Sequence, residues 1–271
     1  MRQRFAPDRA QAAGRRAAGS GVFLPFLLLL CGCGGPRLLR PTALERSMMH
    51  VPAGEFLMGR DDGDPDERPA RRVWLDAFFI DRTEITNAQF KAFCDSTRRV
   101  YPNNPMWGPN YFLGKPRHPV VDIDWQQAND YCAWAGKRLP TEAEWEKAAR
   151  GSDGRPYPWG NDWAEDRANI AGEPYSHTAP VGSFPLGASP YGALDMAGNA
   201  WEWCADSYAE RYYAEALNRN PQGPAAPKPL RVVRGGGWSS PRTEVGTSNR
   251  SQNRPDLVFH HLGCRCAWSP R

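Results

Sequence analysis

The sequence predicts an α+β domain with much irregular backbone. Three observations lead there. The chain holds 26 Gly and 26 Pro, which interrupt long helices and long strands alike. It holds 11 Trp, enough indole to build a core of aromatic plates between irregular segments. Its helix-start signals head short runs set among strand-like segments, with no internal repeat.

The elements follow in order. Residues 1–33 read as a lipoprotein signal peptide. An Arg-bearing stretch precedes the apolar run Val22–Leu30, too short to span a bilayer and right for a signal core. Leu30-Cys31-Gly32-Cys33 resembles the bacterial lipobox. Cys33 is the better acceptor, because Gly32 before it is small and Leu30 before Cys31 is not. This places the protein at the bacterial cell envelope, on the periplasmic or outer-membrane face, held to the membrane through lipid on Cys33. Residues 34–47 are a basic, Pro-containing tether, and the domain occupies 48–271.

Within the domain, His50–Gly59 reads as strand, turn and strand, and Arg72–Ile80 as strand. Thr86-Asn-Ala-Gln89, Asp124-Trp-Gln-Gln127 and Thr141-Glu-Ala-Glu144 are capping boxes for three short helices. The helices bury Phe90 and Phe93; Ala128, Tyr131, Cys132 and Ala135; and Trp145, Ala148 and Ala149. Gly151–Pro190 is loop-rich, Asn218–Pro229 is an exposed loop, and 191–204, 231–238 and 262–268 are candidate strands.

Charge excludes one function class. The formal net charge is +4, and residues 1–33 carry all of it: five arginines against Asp8. The neutral remainder has no electrostatic footprint for nucleic acid. Export permits disulfides. With Cys31 removed in residues 1–32 and Cys33 given to lipid, Cys94, Cys132, Cys204, Cys264 and Cys266 remain, an odd number, so at least one thiol stays unpaired within the chain.

From Met48 to Trp268 a series of motifs runs in one order: Pro52-Ala-Gly-Glu-Phe-Leu-Met-Gly59, Glu84-Ile-Thr-Asn87, His118-Pro-Val120, Gly136-Lys-Arg-Leu-Pro-Thr-Glu-Ala-Glu-Trp-Glu146, Pro158-Trp-Gly160, Asp195-Met-Ala-Gly-Asn-Ala-Trp-Glu-Trp203, Arg234-Gly-Gly-Gly-Trp238, Arg250-Ser-Gln-Asn253 and Gly263-Cys-Arg-Cys266. The set resembles the formylglycine-generating enzyme family, also called the sulfatase-modifying factor family. The resemblance implies a variant of the C-type lectin fold, low in regular secondary structure and usually holding calcium. It also implies a Cys132–Cys266 disulfide. Cys204 and Cys264 are candidates for a second.

The family's oxidases hold Cu(I) between two cysteine thiolates, soft ligands for a soft ion. Here Ser240 falls where the first cysteine is expected and Val245 near the second. Gly237 replaces a serine that precedes them, and no cysteine lies between Cys204 and Cys264. A serine hydroxyl is hard and stays protonated, so copper oxidation is not expected. The five histidines show no metal-ligand spacing.

Asp195, Gly198, Ala200 and Glu202 match one family calcium site, with carboxylate and carbonyl oxygens suited to a hard cation. Read from strand periodicity alone, Trp201 and Trp203 share a core face and Glu202 the wet one. Asn169 and Ile170 match a second calcium site, to which Glu173 alone could add an acid. Family substrates lie in a groove floored by the glycine-tryptophan segment, which assigns Trp201, Trp238, Arg250 and Asn253 to a binding groove. Read as residues alone, the Trp are core and the Arg is paired with a carboxylate. The expectation is a binding module for a peptide or protein partner. Its rivals are an oxidase of a sulfatase cysteine with a non-standard site, a periplasmic maturation enzyme, and a structural component of a surface complex.

Overall fold

The computed structural model describes residues 48–270 apart from 173 and 227; Cys33, the tether and Glu173 lie outside the described residues. The chain forms β1 (Met48–Val51), β2 (Gly54–Met58), β3 (Arg71–Leu75), β4 (Phe78–Asp81), α1 (Asn87–Thr97), α2 (Tyr111–Gly114), α3 (Trp125–Trp134), α4 (Glu142–Arg150), β5 (Trp201–Ser207), α5 (Tyr212–Glu215), β6 (Arg231–Arg234), β7 (Ser251–Asn253), β8 (Leu262–Gly263) and β9 (Ala267–Trp268), with single 3₁₀ turns between. The strands make three small sheets, ordered β1-β4-β9, β2-β3 and β7-β6-β5-β8. Among the strands of the described residues, only β5 and β8 pair in parallel.

All three capping boxes are present. Thr86, Asp124 and Thr141 each accept from the backbone N–H three residues on, and the Gln or Glu there reaches back to the cap N–H. Helices of this length are marginal alone, so packing holds them. One core cluster joins Trp145, Ala148 and Ala149 of α4 to β2, β3 and Tyr213. A second joins α1 and α3, with Cys94 and Cys132, to Trp203, Leu262, Cys264 and Cys266.

Four expectations change. Strand 72–80 breaks at Asp76-Ala77 into β3 and β4, which join different sheets. In segment 191–204 only the end is strand, because Asp195, Gly198 and Asn199 all have positive φ, which no strand admits. Segment 262–268 is two short strands flanking Cys264–Cys266. Helix α4 is buried on every side, its charged residues included.

The Cys132–Cys266 disulfide ties α3 to the segment before β9 across 134 residues, with Cα atoms 5.6 Å apart. Cys94, Cys204 and Cys264 are free and buried, so the second bridge does not form.

Candidate functional site

The glycine-tryptophan segment leaves β6 and turns through two left-handed glycines. A Cβ on Gly236 would meet Val245 Cγ1 at 2.5 Å, and one on Gly237 would meet Trp201 Cδ1 at 3.2 Å. The backbone therefore lies directly on side chains, which only glycine allows. Ser240 is buried and its Oγ accepts from the Gly237 N–H at 3.2 Å. Val245 is wholly buried and packs with Ala168, Ile170 and Ala197. Neither residue offers a soft ligand: Ser240 is an engaged hydroxyl and Val245 a core aliphatic group. The remaining thiols do not replace them. Burial pushes the Cys204 and Cys264 thiols well above their ordinary range, which keeps them protonated.

The four groove residues differ in burial and in partners. Trp201 lies under Gly237, only 9% exposed. Trp238 is half-buried and reaches the surface. Asn253 sits on β7, the sheet edge, paired with Arg231. Arg250 does not face a groove. Its Nε and Nη2 donate to the Glu142 carboxylate at 2.6 and 2.9 Å, and its guanidinium lies against Tyr208 and Tyr213. Arg234 donates to Glu142 and Glu146 at 2.9 and 2.7 Å in the same network. Arg250 is thus a carboxylate-paired structural residue, since these buried acids need cationic partners.

What surrounds Trp238 is aromatic. Its ring stands edge-on to Trp107 at 5.8 Å and tilted to His260 at 6.2 Å. Trp107 stacks on His177 at 4.8 Å and meets Tyr111 edge-on at 4.9 Å. Trp107 Nε1 and His177 Nδ1 are buried without a hydrogen-bond partner. Such orphaned polar atoms are costly, and are explained where a ligand group completes them. His118 accepts or donates at Thr178 Oγ1, 3.1 Å away; burial, aided by Lys115 and His177, lowers its pKa to about 4, so its own ring is neutral at physiological pH. Trp107 and His177 were not singled out in the sequence. Their signal was weak: one Trp in a Pro-rich loop and one isolated His.

The expected calcium residues surround a carboxylate cluster. Glu202 is not on a wet face: β5 is buried on both sides. Arg265 donates to both Glu202 oxygens, at 2.6 and 2.7 Å, and Trp145 Nε1 donates at 2.7 Å. Asp195 accepts from the Gly182 N–H at 2.6 Å. Beside it stands Glu84, which also escaped the sequence reading. Asn199 Nδ2 donates to Glu84 Oε1 at 2.8 Å, while Glu84 Oε2 is buried and unpartnered. Burial first, then the Asp195 charge, push the Glu84 carboxyl well above its ordinary range. Three buried acids thus face one arginine. Among the described residues no three His, Cys, Asp or Glu side chains converge as a metal cage. Glu202 is committed to Arg265, so the oxygens left to suit a hard cation are those of Asp195, the unpartnered Glu84 Oε2 and backbone carbonyls. Asn169 lies alongside, its Nδ2 donating to Asn199 Oδ1 and the His177 carbonyl, with its own Oδ1 unpartnered. Ile170 is core.

Short strands in small sheets, three capped helices and a glycine-tryptophan turn over a buried tryptophan define an irregular domain of the C-type-lectin-like class. The sulfatase-modifying factor enzyme 1-like domain matches residues 38–270, and the chain belongs to that family. It is similar to the formylglycine-generating enzyme of Bos taurus, 34% identical over 94% of this chain and 90% of that protein. It is also similar to the "Inactive C-alpha-formylglycine-generating enzyme 2" of Mus musculus, 33% identical over 92% of this chain and 94% of that protein. Among solved structures it resembles PvdO from Pseudomonas aeruginosa, with 30% identity, a TM-score of 0.71, and coverage of 82% of this chain and 94% of that one.

Proposed function

We propose that this protein is a lipid-anchored envelope protein whose domain binds a peptide or protein segment and does not oxidise cysteine. The observation that carries the reading is the pair Ser240 and Val245. Ser240 Oγ is tied to Gly237, and Val245 fills a core site, where a Cu(I) centre would need two thiolates. The name of the mouse relative supports a family member that has lost the activity. Attachment through Cys33 rests on the sequence pattern alone.

The binding surface is the aromatic cluster of Trp107, His177, Trp238 and His260. Aromatic faces supply apolar area at low entropic cost. Calcium has a structural role in this reading. Asp195 supplies a carboxylate, Gly198 and Ala200 supply carbonyls, and Glu84 supplies a further oxygen. The ion would neutralise the acids that Arg265 leaves unpaired.

The test is to incubate the purified protein with Cu(I), oxygen and a cysteine-containing peptide, and to measure bound metals. Calcium without copper, and no aldehyde product, is the expected result. Stoichiometric copper with aldehyde formation would overturn the reading.

A further inference from the structure

A second aromatic group lies in the loop after α4. Tyr157 and Trp159 stack at 5.3 Å with ring planes 6° apart. Trp163 stands edge-on to both, at 5.4 and 5.5 Å. Trp159 and Trp163 pack inward against the cluster of Ala168, Ile170, Ala197 and Val245. Over the triad lies Arg242, an exposed residue in the turn Arg242–Glu244. Its guanidinium carbon is 5.1 Å from the Trp163 centroid and 6.0 Å from that of Tyr157, and its Nε donates to the Tyr157 hydroxyl at 3.4 Å. Among the described residues Arg242 has no carboxylate partner.

Three features are unusual for a merely structural arginine. The rings are arranged by their own packing and by bonds that leave Arg242 out: Trp159 Nε1 donates to the Asp162 carbonyl and Trp163 Nε1 to Glu165. The cation itself is on an exposed residue. Exposed carboxyl groups, Asp162, Glu165, Asp166 and Glu244, belong to the same two segments. Electron-rich faces with acids around them favour a cation, and a flat guanidinium stacks on such faces better than an ammonium does.

We infer that Tyr157, Trp159 and Trp163 form a recognition site for an arginine side chain of a partner peptide, and that Arg242 is its internal occupant. The site is separate from the Trp107–Trp238 surface, so the inference goes beyond the function proposed above and does not require it. A partner arginine enters as Arg242 swings out on its own side-chain bonds. Exposed cation–π contacts are weak, which makes this displacement easy. While Arg242 occupies the rings, it lowers apparent affinity by the fraction of time it is seated.

The experiment titrates the full chain and its Arg242→Ala variant with N-acetyl-arginine amide and follows the tryptophan indole N–H resonances. Parallel titrations use the citrulline amide, of the same shape but neutral, and tetramethylammonium. Arg242→Ala keeps every ring and removes an exposed side chain, and its circular dichroism checks the fold. The expected result is a gain in affinity of about two- to fivefold in Arg242→Ala. The citrulline amide should be silent and tetramethylammonium weaker, and Trp163→Leu should lose the response. No response to arginine amide in Arg242→Ala, or an equal response to the citrulline amide or to tetramethylammonium, would overturn the inference. Arginine-free peptides would still bind the Trp238 surface if only this inference failed.

Discussion

Arg265 meets Glu202 with neither side chain exposed to solvent, and its Nε and Nη2 each hold one carboxylate oxygen, at 2.6 and 2.7 Å. The same Nη2 also donates to the Leu194 and Asp195 carbonyls, at 2.9 and 3.2 Å. The arginine thereby staples β5 to the left-handed turn before it. Arg265→Met leaves three buried acids with no cation and is expected to cost about 3–5 kcal/mol. Urea unfolding measures it, and a loss below about 1 kcal/mol would mean that the acids are already neutral by other means.

Ser240→Ala should destabilise by about 1–3 kcal/mol, because it strips the acceptor from a buried Gly237 N–H. An unchanged urea midpoint would show that Ser240 is free to act chemically. Binding of partner peptide at saturating concentration should not change.

Calcium at a hundredfold over its dissociation constant should raise stability by about 2.7 kcal/mol. Asp195→Ala should abolish the increment, whereas Asn169→Ala should retain most of it. Thermal unfolding with and without chelator separates the outcomes. An equal calcium effect in both variants would place the ion elsewhere.

Asp206 brings a pH dependence with a definite sign. Burial, then the charge of Glu142, raise its pKa from 3.8 to about 8. Between those values the folded state holds a proton that the unfolded state has lost. This contribution to stability is full below the unfolded value, and fades as pH rises towards 8. The slope approaches ~1.4 kcal/mol per pH unit if Asp206 acts alone. Asp206→Asn preserves an acceptor for the Glu142 N–H, 2.9 Å away, and should flatten the profile between pH 5 and 8. Equal slopes in the two proteins, by urea unfolding across that range, would refute the assignment.

Replacing Cys132 and Cys266 together by Ser should cost about 2–5 kcal/mol, because the bridge closes a loop of 134 residues that is otherwise free in the unfolded chain. Replacing Cys94 by Ser should cost less, since that thiol is unpaired. Thermal unfolding under non-reducing conditions compares the two.

Much of this protein was legible without coordinates, where the determining physics is local. The three helix starts are an example. A Thr or Asp, followed three residues on by Gln or Glu, satisfies orphan amides within one turn, so Thr86, Asp124 and Thr141 could be located from the chain alone. That Ser240 and Val245 offer no soft ligand was legible for a related reason, since ligand softness belongs to the side chain wherever it sits.

The partners of charges were not legible. Alternation along β5 puts Glu202 opposite Trp201 and Trp203, but whether that side meets water depends on Arg265 and Trp145, 63 and 57 residues away. Arg250, read as a residue, was expected to pair with a carboxylate, but only the fold shows that the partner is Glu142, 108 residues distant. Glu84 and Trp107 gained their significance only from Asp195 and His177, which the fold brings beside them. Local chemistry is written in short stretches of sequence. Burial and pairing arise between segments that chain order leaves far apart, because a buried charge takes whichever counter-charge the packing delivers.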